Sequence, residues 1–245
     1  MARRRKRKQR SRRIYHSLLR AGCCGLVVLL LLGWWAWRNV FSVNPARYPV
    51  TGIDVSRHNG SIDFDRVSQA GVDFVYIKAT EGVTYVDPNF SDNCRGAYRA
   101  GLPAGAYHYF SKHLSGERQA RHFLQSVKGK HLQLPLVVDV EEWYNDDAHL
   151  NAELDRLEAM ISELEQSGHR VMIYANRHDW GHYLKHRFAR QQLWLSSFLP
   201  PLLTSGTPHV LHQYTFYGSV EGISGDVDLD VFVGSQAEWN AWLAD

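Results

Sequence analysis

The chain has 245 residues, 44% of them hydrophobic, and a formal net charge of +3. That average joins two unlike parts: residues 1–50 hold twelve Lys/Arg and no acid, while residues 51–245 hold the other sixteen Lys/Arg, all twenty-five acids and a formal charge of −9. Only Cys94 falls in the larger part, which excludes a disulfide framework there, and about 195 residues bury a core without one.

Ten basic residues lie between Arg3 and Arg20, and an apolar run follows from Ala21 to Trp37, closed by Arg38. Seventeen apolar residues are near the lower limit for crossing about 30 Å of hydrocarbon, and snorkelling of Arg20 and Arg38 extends the reach. Trp34, Trp35 and Trp37 cluster at the far end, where amphipathic rings favour the interface. The expectation is a single-pass transmembrane helix over 21–38 in a cell (inner) membrane, lipid its partner there. By the positive-inside rule the basic tail 1–20 is cytoplasmic and the rest periplasmic or extracellular. A cleaved signal peptide is the runner-up, but no small-x-small site follows the run. The apolar run behind the tail also outweighs its reading as a nucleic-acid arm. Residues 39–50, with Asn44-Pro45 and Pro49, read as a linker.

From Thr51 onward apolar strand candidates alternate with amphipathic stretches. The strands are expected at 52–55, 74–78, 104–109, 136–140, 171–175, 192–195, 210–214 and 227–230. Leu150, Leu154, Leu157, Ile161 and Leu164 form one helical stripe, with Gly168 as the stop. Ser235 and Glu238 form a capping box before Trp239, Trp242 and Leu243. Strand–helix alternation predicts a parallel α/β domain over 51–245, an irregular TIM-like barrel whose later connections are too short for full helices.

The most informative residues are Asp139-Val140-Glu141, at the end of an apolar strand. Residues i and i+2 of a strand share a face, so these carboxylates stand about 7 Å apart at their Cα atoms. Repulsion and partial burial push one pKa up, giving a carboxylic acid beside a carboxylate. Glycosidic bond cleavage needs that pairing. An acidic strand end capping the next helix is the bland alternative. Glu142 faces away and is a poorer candidate. Other strand ends carry Asp54, Lys78, His108, Tyr109, Tyr174, Trp194, Gln213, Tyr214 and Asp228. In parallel barrels that rim bears the active site, so acids ringed by aromatics describe a cleft for a sugar chain.

Several residues have competing readings. Asp54 is the only charge in its strand and could pair with Lys78. Asp226, Asp228 and Asp230 alternate, so one of them must be solvated or bound. His178, His182 and His186 fall every four residues, and a solvated helix face is favoured over a metal site. Tyr107, Tyr109, Tyr174, Trp194 and Tyr214 are sugar platforms or barrel packing. Cys94 reads as a small helix residue.

Seven blocks in order carry a resemblance: Gly52-Ile53-Asp54-Val55-Ser56, Tyr76 to Gly82, Val86-Asp87-Pro88-Asn89-Phe90, Gly105 to Phe110, Asp139-Val140-Glu141, Gln213-Tyr214 and Val227-Asp228-Leu229. Over about residues 51–234 the chain resembles the family 25 glycoside hydrolases, the Chalaropsis-type lysozymes. The resemblance implies a flattened β/α barrel that cleaves the β-1,4 bond from N-acetylmuramic acid to N-acetylglucosamine in peptidoglycan glycan strands, without a cofactor or metal. It places the general acid at Glu141. It gives Asp139 the role of stabilising the transition state or orienting the substrate acetamide, and sets Asp54 and Asp228 in the cleft. Lys78, Glu81, Tyr107, His108, Tyr109, Tyr174, Trp194, Gln213 and Tyr214 are the expected substrate contacts. The chain departs from the family's usual pattern at Arg57-His58-Asn59-Gly60, a loop expected to border the cleft. Two alternatives stand beside this reading: a wall-binding module without turnover, and a hydrolase of another N-acetylated glycan such as chitin.

Overall fold

The structure is a computed structural model that describes residues 22–23, 25–36, 43–141 and 149–244. Two compact units divide at residue 44, the second running from Pro45. In the first unit, residues 22–23 and 25–36 are helical. Among the described residues no helix is long and apolar enough to cross a membrane. Residues 21, 24, 37 and 38 of the expected span, the tail 1–20 and part of the linker lie outside the described residues.

The second unit is an eight-stranded barrel. Its strands are β1 (Thr51–Val55), β2 (Phe74–Glu81), β4 (Ala104–Tyr109), β5 (Leu136–Asp139), β6 (Val171–Asn176), β7 (Gln192–Ser196), β8 (Leu211–Gly218) and β9 (Val227–Phe232), with a short β3 (Tyr85–Val86) beside β2. The order β1-β2-β4-β5-β6-β7-β8-β9 closes because β9 pairs with β1. Neighbours are parallel from β1 round to β8, but β9 is antiparallel to both β8 and β1. This corrects the all-parallel expectation. The segment from Gly218 to Val227 is too short for a crossover of about a dozen residues, so the chain turns back as a hairpin.

Helices α1 (Phe64–Gln69), α2 (Phe90–Arg99), α3 (Gly116–Val127) and α4 (Leu150–Gln166) cover the outside, as do the helical segment α5 (177–188) and the C-terminal α6 (Gln236–Ala244). Between β7 and β8 only a 3-10 turn, Pro201–Thr204, remains. On α4 the stripe Leu154, Leu157, Ile161 and Leu164 is buried against the barrel, as its spacing requires. The capping box forms: the Glu238 carboxylate accepts the Ser235 N–H at 2.7 Å, and Ser235 Oγ accepts the Glu238 N–H at 3.3 Å.

Strand alternation sorts side chains between two cores. Ile53, Val75, Ile77, Val138 and Ile173 point outward under the helices. Phe74, Tyr76, Val137, Met172 and Trp194 point inward. Helix α6 closes the floor, where Trp239 lies 5.1 Å from Phe74 and 5.4 Å from Phe232 between ring centroids. Two glycines admit these rings. A Cβ on Gly52 would stand 2.2 Å from the Phe74 ring, and one on Gly105 would stand 2.2 Å from Tyr76. Small residues on β1 and β4 thus let large ones on β2 cross the lumen.

Candidate active site

Above Tyr76 and Trp194 the barrel interior becomes polar. An open cavity of about 370 Å³ lies at the C-terminal ends of the parallel strands, lined by Asp54, Lys78, Tyr107, Tyr109, Asp139, Glu141, Tyr174, Trp194, Gln213 and Asp228 among others. Asp139 and Glu141 both reach it, as the i and i+2 spacing requires. Val140 between them is buried outward, its N–H donating to the Tyr174 carbonyl at 2.9 Å. Glu142, expected to face away, lies outside the described residues.

A hydrogen-bonded frame holds the floor. Tyr174 OH and Ser196 Oγ donate to Gln213 Oε1 at 2.7 and 3.0 Å, and Gln213 Nε2 donates to Asp54 Oδ2 at 2.7 Å. Trp194 Nε1 donates to Asp230 Oδ1 at 2.8 Å. Asp54 is directly opposite Asp228 across the β1–β9 ladder, and Gly52 is opposite Asp230. Like charges in that arrangement repel, and Asp54 and Asp230 are buried while Asp228 is partly exposed. Burial, then the neighbouring Asp230 and Asp228, hold the Asp54 carboxyl well above the usual carboxylate range. Burial likewise raises Asp228 and Asp230.

Across the cleft, Asp139 is 8% exposed, and its Oδ1 is buried without a hydrogen-bond partner among the described residues. Burial first, then Glu141, push its pKa well up, with Lys78 opposing. The Lys78 ammonium donates to Glu81 Oε2 at 2.8 Å and lies 5.0 Å from the Tyr109 ring centroid. The alternative Asp54–Lys78 pairing is therefore replaced by Lys78–Glu81 and Asp54–Gln213.

The Arg57–Gly60 loop borders the cavity through His58 and Asn59, as expected. Asn59 Oδ1 accepts the Ser56 N–H at 2.9 Å, and Asn59 Nδ2 donates to the Asp226 carbonyl at 3.2 Å. Buried Asp87 anchors the loop from β3, accepting the Arg57 N–H at 2.9 Å.

A family model, Glycosyl hydrolases family 25, matches residues 53–223. The chain belongs to glycosyl hydrolase family 25. It is 34% identical over 185 residues to the autolytic lysozyme of Clostridium acetobutylicum, covering 74% of this chain but only 55% of that protein. Lysozyme M1 of Streptomyces globisporus is 34% identical over 203 residues, covering 77% and 69%. A family 25 glycosyl hydrolase from Bacillus anthracis superposes with a TM-score of 0.73 at 33% identity, over 80% of this chain and 94% of that one. The chain thus spans about half the length of the first of these relatives.

Not every expected contact of this family 25 domain enters the cleft. His108 points outward from β4 and is fully buried under α3. It shares hydrogen bonds with Thr80 Oγ1 at 2.8 Å and Gln119 Oε1 at 3.1 Å, and burial lowers its pKa to about 3. Its inward neighbours Tyr107 and Tyr109 line the cavity instead, because alternation admits one set only. Tyr214, one residue past Gln213, does not line the cavity either, nor does Glu81 directly. Trp194 is 2% exposed, enclosed by Tyr76 at 4.8 Å and Tyr174 at 4.9 Å, so it forms floor rather than a stacking platform. Asp228 reaches the rim from the N-terminal end of β9, not from a strand's C-terminal end. Sequence reasoning gave no role to Asp230, although the Asp226-x-Asp228-x-Asp230 alternation marked a shared face, and it passed over Ser56, Ser196 and Phe216. His178, His182 and His186 are exposed on α5. Cys94 is buried, and that burial raises its thiol pKa to about 11.

Proposed function

We propose that this family 25 chain is a membrane-anchored muramidase, cleaving the β-1,4 bond between N-acetylmuramic acid and N-acetylglucosamine in peptidoglycan. The observation that carries the reading is the open cleft into which one strand end delivers both Glu141 and an Asp139 oxygen with no partner among the described residues. The lysozyme names of two relatives support the substrate. Glu141 protonates the departing glycosidic oxygen. An acetamide N–H aimed at Asp139 Oδ1 would supply the donor that oxygen lacks, and turn the acetamide oxygen towards C1. That oxygen then forms the new bond to C1 as the old one breaks. Water later opens the ring, giving its proton to the Glu141 carboxylate. Asp54 and Asp228 stand across the cleft, where a sugar hydroxyl meets them. Anchoring rests on the sequence: the basic tail 1–20 stays in the cytoplasm, residues 21–38 contact lipid, and the domain faces the wall.

The test incubates the full chain and its Glu141→Gln variant with purified peptidoglycan, reading new reducing ends by mass spectrometry. N-acetylmuramic acid ends from the unaltered chain alone are expected. Wall binding without product from either protein would instead mark a binding module. For the anchor, extraction of membranes at alkaline pH should leave the chain in the pellet; release into the supernatant would remove the anchor from the proposal.

A further inference from the structure

Beyond Val86 and Tyr98, every exposed large apolar side chain described in the second unit lies in one of two segments. Phe198, Leu199 and Leu203 follow β7, and Phe216 and Tyr217 lie on β8. The segments meet: Phe198 and Phe216 stack edge to face, with centroids 4.9 Å apart and planes at 72°. Phe216 also lines the cavity that holds Asp139, Glu141 and Asp228. The aromatic surface is therefore continuous with the cleft and leads away from it. Tyr217 is 74% exposed and Phe198 64%, which costs apolar hydration in the free protein.

We propose that Phe198 and Phe216 form a platform for a saccharide ring of the glycan strand beyond the bond being cleaved. The inference rests on the glycan-hydrolase reading above and extends it. A cavity of about 370 Å³ is at the small end of ligand pockets, so a polymeric strand overruns it. Phe216, which lines the cavity and touches Phe198 outside it, offers such a strand its next surface. Sugar rings present flat C–H faces that pack on aromatic rings, while their hydroxyls stay in water. The flanking acids Asp226 and Asp228 accept such hydroxyls, whereas they repel an anionic lipid surface. The floor aromatics Trp194 and Tyr174 are buried and leave this task to the exposed pair.

The experiment uses the full chain and the variant Phe198→Ala, an exposed position whose truncation opens no core. The readout is kcat/KM on long glycan strands relative to that on a short muramic-acid-containing oligosaccharide. The expected result is a fall in that ratio of roughly fivefold, mainly through KM, with Phe198→Trp keeping it near the starting value. An unchanged ratio overturns the platform, and so does an equal loss on both substrates. Binding of Glu141→Gln to insoluble glycan, with and without Phe198→Ala, reads the platform even if no turnover occurs. Weaker binding with the alanine supports the platform although the hydrolase reading has failed; equal binding ends it. If the alanine instead reduces sedimentation with anionic-lipid vesicles and leaves glycan binding intact, the surface serves lipid and the proposal falls.

Discussion

The lower and upper halves of the barrel lumen are built from the same strands and obey opposite rules. Below, Phe74, Phe232, Trp239 and Trp242 pack ring on ring. Above, Asp54 and Asp139 further along β1 and β5, and Asp228 and Asp230 earlier on the antiparallel β9, have raised pKa values. The lower half gains free energy from burial, at roughly 25 cal/mol per Å² of apolar surface. The upper half loses it, because each buried carboxyl must keep a proton or find a donor. A fold tolerates the second only on top of the first, and the cost is concentrated where chemistry is proposed.

The largest expected effect separates the two halves by readout. Glu141→Gln should lower kcat by about 10² to 10⁴-fold while the melting temperature stays within error of the unaltered chain. A fall in melting temperature of more than about 5 °C would show that Glu141 belongs to the scaffold instead. Trp239→Ala is the mirror experiment. It should cost about 3–5 kcal/mol of stability by denaturant titration, and any folded protein left should keep its kcat. Gly105→Ala drives a Cβ into Tyr76 and should cost about 1–3 kcal/mol. A neutral result would mean that the Tyr76 ring has room to move.

A smaller effect comes from the acidic half itself. The folded pKa of Asp230 is raised above its unfolded value, so the folded state holds a proton that the unfolded state releases. Its contribution is fully present below about pH 4 and is lost as pH rises through the raised value. Asp230→Asn keeps an acceptor for Trp194 Nε1 and removes the titration. Around neutral pH it should gain about 1–2 kcal/mol and flatten the decline in melting temperature above pH 4. His108 acts in the opposite sense. With its folded value lowered to about 3, its contribution is complete above about pH 6.5 and is lost as pH falls through 3. Replacing His108 with Gln should therefore lessen the acid-side decline and leave the neutral side alone. The smallest effect is at His178, exposed on α5, where Ala should change stability by less than about 0.5 kcal/mol.

Much of this was legible from residues alone, because it depends on neighbours in sequence. An apolar run marks each strand, the i, i+2 rule puts Asp139 and Glu141 on one face, and the Ser235–Glu238 box closes within one helical turn. What eluded the sequence depends on partners far along the chain. Whether His108 or Tyr107 faced the lumen turned on which phase of the alternation the barrel enclosed, and both phases of β4 are apolar enough to be buried. Trp194 could stack on a sugar only if Tyr76 and Tyr174 did not already enclose it. The direction of β9 decided that Asp228 meets Asp54 at the rim while Asp230 sinks beneath it. The sequence, by itself, determined the eight barrel strands, two of the helices and the paired carboxylates, since local sterics and hydrogen bonds act over a few residues. Only the tertiary structure decided which acids crowd one another out of water, which aromatics remain open to a ligand and which face of each strand looks inward. Those outcomes follow from packing and desolvation among residues that closure of the barrel brings together.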